Sequence, residues 1–230
     1  MNDLRIIVLS VVCVLLFAPA VSAQKNEQYS HSYPIGLRIY GGFGLPGGAL
    51  SDPYINAESG LNRNPGFEVG GVLDFHITNR LAIGPEINYS SYPDREYNLG
   101  ELNNHFNVLK LGGRLQYTLF TGKVHRSFAI LGSGVASAKI SKFALDADTR
   151  EILDLEYNDK PYVYVGGGVI FMLSPNFSLV GEIGIDFLLL KGSKLNINDG
   201  VLVDEDSGEP LEVSDNYYIL DFKFGFGFNL

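Results

Sequence analysis

The sequence predicts an all-β protein, an eight-stranded antiparallel up-and-down transmembrane β-barrel. Three observations predict it: apolar and polar side chains alternate along the chain, long and short connections alternate, and glycine and aromatic residues are abundant. The 230 residues include 27 glycines, 15 phenylalanines and 13 tyrosines, but no tryptophan. Successive side chains of a strand point to opposite faces, so a period of two indicates strands. The length suits one domain.

Six segments show this alternation clearly, and their apolar registers begin at Ile35, Phe67, Leu81, Leu109, Phe177 and Tyr218. The last is the clearest, because every second residue from Tyr218 to Leu230 is apolar, while from position 221 onward the other positions hold Asp221, Lys223 and three small or polar residues. We call each set of alternating positions along a strand a parity. Two glycine-rich segments, 128–139 and 162–173, are strand-like, but which of their two parities is the apolar one is ambiguous. Together these segments make eight strands.

The connections predict which ends of the strands lie together. Three are short: 76–80, 121–125 and 174–176. Four are long and polar: 46–66, 91–107, 140–161 and 191–216. Strict alternation of the two kinds places all long loops at one end of the barrel and all tight turns at the other. Two long loops show hairpin patterns, one pairing 143–145 with 152–153 and the other pairing 201–203 with 211–213.

The charged residues predict which face points inward. On the six clear strands none lies on the apolar parity, whereas the opposite parity carries Arg38, Glu68, Asp74, Glu86, Lys110, Arg114, Glu182, Asp186, Asp221 and Lys223. An eight-stranded barrel is only just wide enough inside for side chains. Since the phenylalanines of the last strand would overfill it, we expect apolar groups to face lipid and charges to face the lumen. A soluble sandwich would leave the charge-free outer face unexplained.

The ten lumen charges leave two alternatives for the barrel interior. In the first, a hydrogen-bonded plug forms in which Arg38 and Arg114 pair with Glu68, Glu86 and Glu182, because charges removed from bulk water need partners. In the second, the charges are separate, solvated residues around trapped water. A plug predicts a barrel that conducts no solute. A water-filled lumen, in contrast, is compatible with the function of a narrow passive pore.

The first residues predict export. Residues 1–23 read as a signal peptide, with Arg5, an apolar run over 6–17 and a small-residue cleavage site at 21–23. Residues 24–33 then form a short periplasmic segment, and 34–230 form the barrel. The only cysteine, Cys13, lies inside the signal, which excludes disulfides and cysteine-ligated metal sites in the mature chain. The net charge of −9 argues against nucleic-acid binding.

Several motifs resemble the small outer-membrane barrels of Gram-negative bacteria, of the OmpX and OmpA type. They resemble more narrowly the PorT-like, "porin family" outer-membrane barrel proteins of Bacteroidota. The motifs occupy 66–71, 77–83, 85–90, 109–111 and 222–228. The resemblance implies contact with outer-membrane lipid and lipopolysaccharide, and insertion by the barrel-assembly machinery. The implied assembly signal is Phe224, Phe226, Phe228 and Leu230, which departs from the usual pattern by not ending in an aromatic residue.

The sequence predicts a non-enzymatic protein with a structural or surface-interaction role, whose acidic long loops meet a surface partner. The alternatives are a narrow passive channel and an outer-membrane enzyme acting on lipid or peptide. Among four histidines, only His105 lies on the long-loop side, near Ser90, Ser91 and Glu101. The acidic loop 191–216 lacks the spacing of an EF-hand calcium loop. We therefore expect no catalytic residue, no metal and no cofactor.

Overall fold

The computed structural model describes residues 35–51, 63–93, 105–144, 152–190, 196–197, 200–201 and 216–230. The predicted signal peptide 1–23 and the segment 24–33 lie outside these ranges. Eight long strands and two short ones form one sheet: β1 Ile35–Gly47, β2 Gly66–His76, β3 Leu81–Pro93, β4 His105–Thr121, β5 His125–Ala144, β6 Ile152–Ser174, β7 Phe177–Leu188, β8 Asn196–Ile197, β9 Gly200–Val201 and β10 Tyr217–Asn229. A 3-10 turn, Gly48–Ser51, follows β1. No helix in the described part of the chain is long and apolar enough to cross a membrane.

The eight long strands close into an antiparallel barrel, which confirms the predicted fold. Each pairs with its neighbour in sequence along β1 to β7, and β7 pairs with β10. The barrel closes where β1 meets β10, in a register that runs from Gly36 opposite Asn229 to Gly47 opposite Tyr218. Closure leaves no open edge among the eight strands, which is the condition for crossing lipid with strands.

The short turns lie together at one end of the barrel, as the alternation of connections predicts. Thr78 stabilises the β2–β3 turn, because its hydroxyl accepts hydrogen bonds from the backbone N–H of Arg80 and Leu81 at 3.2 and 3.0 Å. Both ends of the described chain meet at this side, where the Leu230 N–H donates to the Ile35 carbonyl at 2.9 Å. We call this side the turn end and the opposite side the loop end.

Two strands continue well beyond the others at the loop end. β5 has 20 residues and β6 has 23, whereas a tilted spanning strand needs about 9–11. They pair as far as Ala144 opposite Ile152, which confirms the predicted hairpin for 143–144 with 152–153, while residue 145 lies outside the described residues. The short strands extend this arm, since Ile197 pairs with Leu155. Val201 pairs with Asn196, while the remainder of the predicted 201–203 and 211–213 hairpin lies outside the described residues.

The outer face is apolar and the inner face is mostly polar. Side chains of the apolar parity are solvent-exposed in the isolated chain, as with Phe224 at 63% and Ile87 at 53%. The two strands of ambiguous parity carry apolar groups on both faces: Phe128 of β5 and Tyr164 of β6 point inward at 1% exposure, while Leu131 and Val165 point outward. Because apolar side chains occupy both faces of these two strands, alternation alone did not show which face points inward.

Glycines make room for the large side chains inside the barrel. A Cβ on Gly184 would overlap the ring of Tyr164, and one on Gly166 would lie 2.7 Å from the Tyr164 hydroxyl. In the same way, a Cβ on Gly70 would lie 2.7 Å from the hydroxyl of Tyr40. The small residues of the polar parity therefore allow two tyrosines to occupy a narrow lumen.

Candidate functional site in the barrel lumen

The structure places all ten predicted charged residues in the lumen, each 7% exposed or less. They come from six consecutive strands of the cylinder, β7, β10, β1, β2, β3 and β4. The remaining wall, β5 and β6, contributes the apolar and aromatic side chains of Phe128, Ile130, Tyr162 and Tyr164. The lumen thus has a charged wall that faces an aromatic wall.

Arg38 pairs with Asp74 near the turn end. The two form a bidentate ion pair, with Nε to Oδ2 and Nη2 to Oδ1 both at 2.6 Å. The predicted pairing of Arg38 with Glu68, Glu86 and Glu182 is wrong. Arg38 stands opposite Val72, so Asp74 is its diagonal neighbour on the same face, whereas Glu68 lies four residues away along β2, roughly 13 Å.

Arg114 organises the middle of the lumen. It contacts two of its three predicted partners, with Nη2 at 3.0 Å from Glu182 Oε2 and Nη1 at 3.7 Å from Glu86 Oε1. Two tyrosines bind the same carboxylates: Tyr164 donates to Glu182 at 2.8 Å and Tyr40 donates to Glu86 at 2.5 Å. These groups form a connected buried network of the kind that needs every member satisfied.

The two lysines tie this network to the loop-end carboxylates. Lys223 Nζ lies over the rings of Tyr164 and Tyr40, at 4.2 and 5.2 Å from their centroids, and 3.3 Å from Glu68 Oε1. Lys110 Nζ contacts Asp186 Oδ2 and lies 3.3 Å from Glu68 Oε1. Glu68 therefore pairs with lysines rather than with the predicted arginines.

An apolar cap closes the loop end of the lumen. Its members are 0–1% exposed and lie at the loop ends of their strands, just beyond the end of β7 or on the 3-10 turn: Leu50, Tyr92, Phe106, Leu188, Leu190, Tyr217 and Ile219. The ring centroids of Tyr92 and Phe106 are 6.3 Å apart, and those of Phe106 and Tyr217 are 6.2 Å apart. Sequence reasoning missed this cap because it assigned 91–107 and 191–216 to loops, although Phe106 and Val108 continue the inward parity of Lys110.

Space within the described lumen is small and polar at the turn end. A cavity of about 40 Å³ borders Arg38, Asp74, His76 and Gln116 and has room for roughly two or three waters. A second, of about 10 Å³, lies among Tyr40, Arg114, Glu182 and Lys223 and is no larger than one water. Between these spaces and the cap, ion pairs and aromatic rings occupy the interior.

The remaining predicted residues lie at the rims and on the outer face. His105 stands at the loop end, where its Nδ1 is 3.3 Å from Ser91 Oγ. His76 and His125 border the short turns, and His31 lies outside the described residues. The residues of the predicted assembly signal all face outward, with exposures from 38 to 63%: Phe224, Phe226, Phe228 and Leu230.

Comparison with known proteins identifies the fold. No protein-family model matches the chain, and no curated protein matches its sequence. Among solved structures, Neisserial surface protein A aligns with a TM-score of 0.55 and 12% identity, over 86% of this chain and 97% of that one. A major outer membrane protein from Thermus thermophilus aligns with a TM-score of 0.51 and 16% identity, over 85% and 99% of the two chains. At these identities the likeness establishes the small outer-membrane barrel fold.

Proposed function

We propose that this chain is a sealed, non-enzymatic barrel of a Gram-negative outer membrane, with a structural or surface-interaction role. Its outer face supports this proposal, because the exposed side chains from Phe43 to Phe226 are large and apolar on strand after strand. A water-soluble protein rarely exposes so large a continuous apolar surface. Lipid of the outer membrane, including lipopolysaccharide, is the partner that this face fits.

Export and assembly complete the proposal. The signal peptide 1–23 directs the chain across the inner membrane, and the PorT-like motifs suggest an origin in Bacteroidota. The barrel-assembly machinery reads the outward-facing signal that ends at Leu230. The acidic loops at the loop end meet a surface partner.

The filled lumen is the observation that carries the sealed-barrel proposal. The apolar cap covers the loop end, and below it Lys110, Arg114 and Lys223 bind carboxylates from several strands. A conducting pore of this size would need a continuous column of water. The side chains that would line such a column are bound to one another instead.

Single-channel recording tests the seal. We expect the refolded protein in planar lipid bilayers to give no stable conductance steps, because ion pairs and buried rings occupy the described lumen. The double variant Tyr92→Ala, Phe106→Ala is the matched control, because it removes two rings of the cap and leaves the ion pairs in place. Comparing its conductance with that of the unmodified protein separates the contribution of the cap from that of the ion pairs. Large, long-lived steps from the unmodified protein would establish the passive-channel alternative and overturn the seal.

The contact between Ser91 and His105 is the observation that favours the enzyme alternative. A nucleophilic serine needs an activating base and an accessible hydroxyl. Ser91 is only 4% exposed. We therefore expect a fluorophosphonate probe to label the folded barrel no more than it labels the Ser91→Ala variant. Labelling that disappears in both Ser91→Ala and His105→Ala would instead show an activated serine and support an enzyme.

A further inference from the structure

We propose that the turn end of the barrel binds the headgroup of an anionic phospholipid. The contact surface, which we call the basic rim, consists of Arg80 and Lys123 together with the exposed apolar residues Ile77 and Val124 in the same two turns. This inference rests on the proposed outer-membrane function, and it adds which class of lipid the barrel selects and at which end.

The charge of the chain is distributed unevenly between the two ends of the barrel. The four long connections carry a net formal charge of −11, whereas the three short ones carry +2 and no carboxylate side chain. Summed charge of one sign attracts ligands of the opposite sign to that part of a protein surface. An anionic headgroup is therefore repelled at the loop end and attracted at the turn end.

Two neighbouring turns hold the cations of the basic rim on the same side of the barrel. Arg80 ends the β2–β3 turn, and Lys123 lies in the β4–β5 turn. The N–H of Thr118, near the end of β4, donates to the Arg80 carbonyl at 2.7 Å. Because β4 ends at Thr121, two residues before Lys123, the closed barrel places both cations on one arc of the turn end.

Both cations lack a counter-ion within the described part of the chain. Arg80 and Lys123 are exposed, and neither side chain forms an ion pair with a described residue. The carboxylate side chain of the described turn end, Asp74, is bound to Arg38 in the lumen. A third cation, Arg126, is half-buried and lines the turn-end cavity, so it belongs to the mouth of the lumen. The two charges of the basic rim are thus available to a ligand outside the barrel.

Exposed apolar side chains place these cations at the depth of lipid headgroups. Ile77 and Val124 are 61% and 59% exposed in the same turns as Arg80 and Lys123. Tyr117 is 43% exposed on the outer face of β4 near this end, and amphipathic rings of this kind lie at the border between hydrocarbon and headgroups. Long basic side chains beside such a border extend their charged groups toward the phosphates.

Charge and position select an anionic phospholipid. The predicted periplasmic segment 24–33 leads into β1 at the turn end, so in the proposed orientation this end meets the phospholipid leaflet. Guanidinium and ammonium groups both bind phosphate oxygens, and arginine does so with two parallel hydrogen bonds. A zwitterionic phospholipid carries its own ammonium group beside the phosphate, and the cations of the rim repel it. Phosphatidylglycerol has no such group and keeps a net negative charge.

Competition between two lipids tests the basic rim. The full chain is folded in micelles of a neutral detergent and mixed with equal amounts of phosphatidylglycerol and phosphatidylcholine that carry the same acyl chains. Native mass spectrometry then gives the number of each lipid bound per barrel. We expect the unmodified protein to retain phosphatidylglycerol in preference to phosphatidylcholine. Each cation should contribute a factor of roughly five, which is typical of one basic residue near an anionic surface.

Matched substitutions locate the site. Arg80→Gln and Lys123→Gln should each lower the ratio of bound phosphatidylglycerol to phosphatidylcholine by roughly fivefold, and the double variant should bind both lipids almost equally. Lys160→Gln removes the same charge from β6 at the loop end and should keep the ratio of the unmodified protein. Heat-dependent gel mobility shows for each variant that the barrel has folded.

The proposal is overturned if the unmodified protein binds both lipids equally, since the rim would then meet another anionic partner, such as an acidic periplasmic protein, or none. It is also overturned if the double variant keeps the full preference. The same holds if Lys160→Gln lowers the preference as much as Arg80→Gln, because net charge alone would then explain the binding.

A separate observation tests the membrane function on which this inference rests. A folded chain that stays soluble and monodisperse without detergent or lipid would contradict the outer-membrane barrel itself. Equal binding of the two lipids by a barrel that folds only in detergent or lipid would contradict the basic rim alone.

Discussion

Replacement of Arg114 with methionine lowers the free energy of unfolding by about 3–5 kcal/mol, the usual cost of removing one partner from a buried ion pair. Glu182 and Glu86 lose the guanidinium that lies 3.0 and 3.7 Å from them, while both remain buried. Methionine keeps much of the side-chain length, so the loss of charge dominates the effect. Urea unfolding in lipid vesicles, followed by gel mobility of unheated samples, measures the change.

Two comparison variants separate charge from packing. Arg80→Met changes an exposed arginine in the β2–β3 turn, and we expect it to alter stability by less than about 0.5 kcal/mol. The double variant Arg114→Met with Glu182→Gln should recover part of the loss, because one uncompensated carboxylate disappears. If Arg114→Met is no worse than Arg80→Met, the lumen charges are solvated individually and the plug is wrong.

Replacement of Leu111 with arginine on the outer face destabilises the barrel by about 2–4 kcal/mol in lipid. Leu111 is 46% exposed in the middle of β4, where its register neighbours Ile87 and Val135 also face outward. An arginine at this depth has hydrocarbon around it instead of water. Urea unfolding in phospholipid vesicles gives the change in stability directly.

The size of this effect depends on depth in the membrane. Val124→Arg, in the β4–β5 turn, places the same charge at the rim and should cost about 0–1 kcal/mol. Leu111→Val keeps the apolar character and tests the loss of volume alone. A Leu111→Arg variant that is as stable as Leu111→Val would mean that water, not lipid, covers this face.

The assignment of inner and outer faces followed from sequence because it is a local property of a strand. Lys110 and Leu111 are adjacent, so the pleat sends one inward and the other outward in any strand. The same alternation failed for β5 and β6, where Phe128 and Leu131 are both apolar and face opposite sides. A period of two assigns a face only where the two faces differ in polarity.

The pairing inside the lumen needed the tertiary structure. Charge alone allows Arg38 to pair with any lumen carboxylate, and the register of β1 with β2 selects Asp74. The apolar cap was not predicted from the sequence for a related reason. Phe106 and Tyr217 lie at the start of strands in segments that the sequence assigned to loops or loop borders, and they meet only because β4 and β10 begin at the same side of the barrel.

The sequence by itself determined that the chain forms a barrel with an apolar outside, because hydrophobic alternation and loop length act within one strand or between neighbours. The tertiary structure decided which charges pair, where the rings close the lumen and how Glu68, Asp186 and Asp221 converge. Those contacts depend on the stagger between strands that are distant in the chain, and on the narrow interior that forces their side chains together.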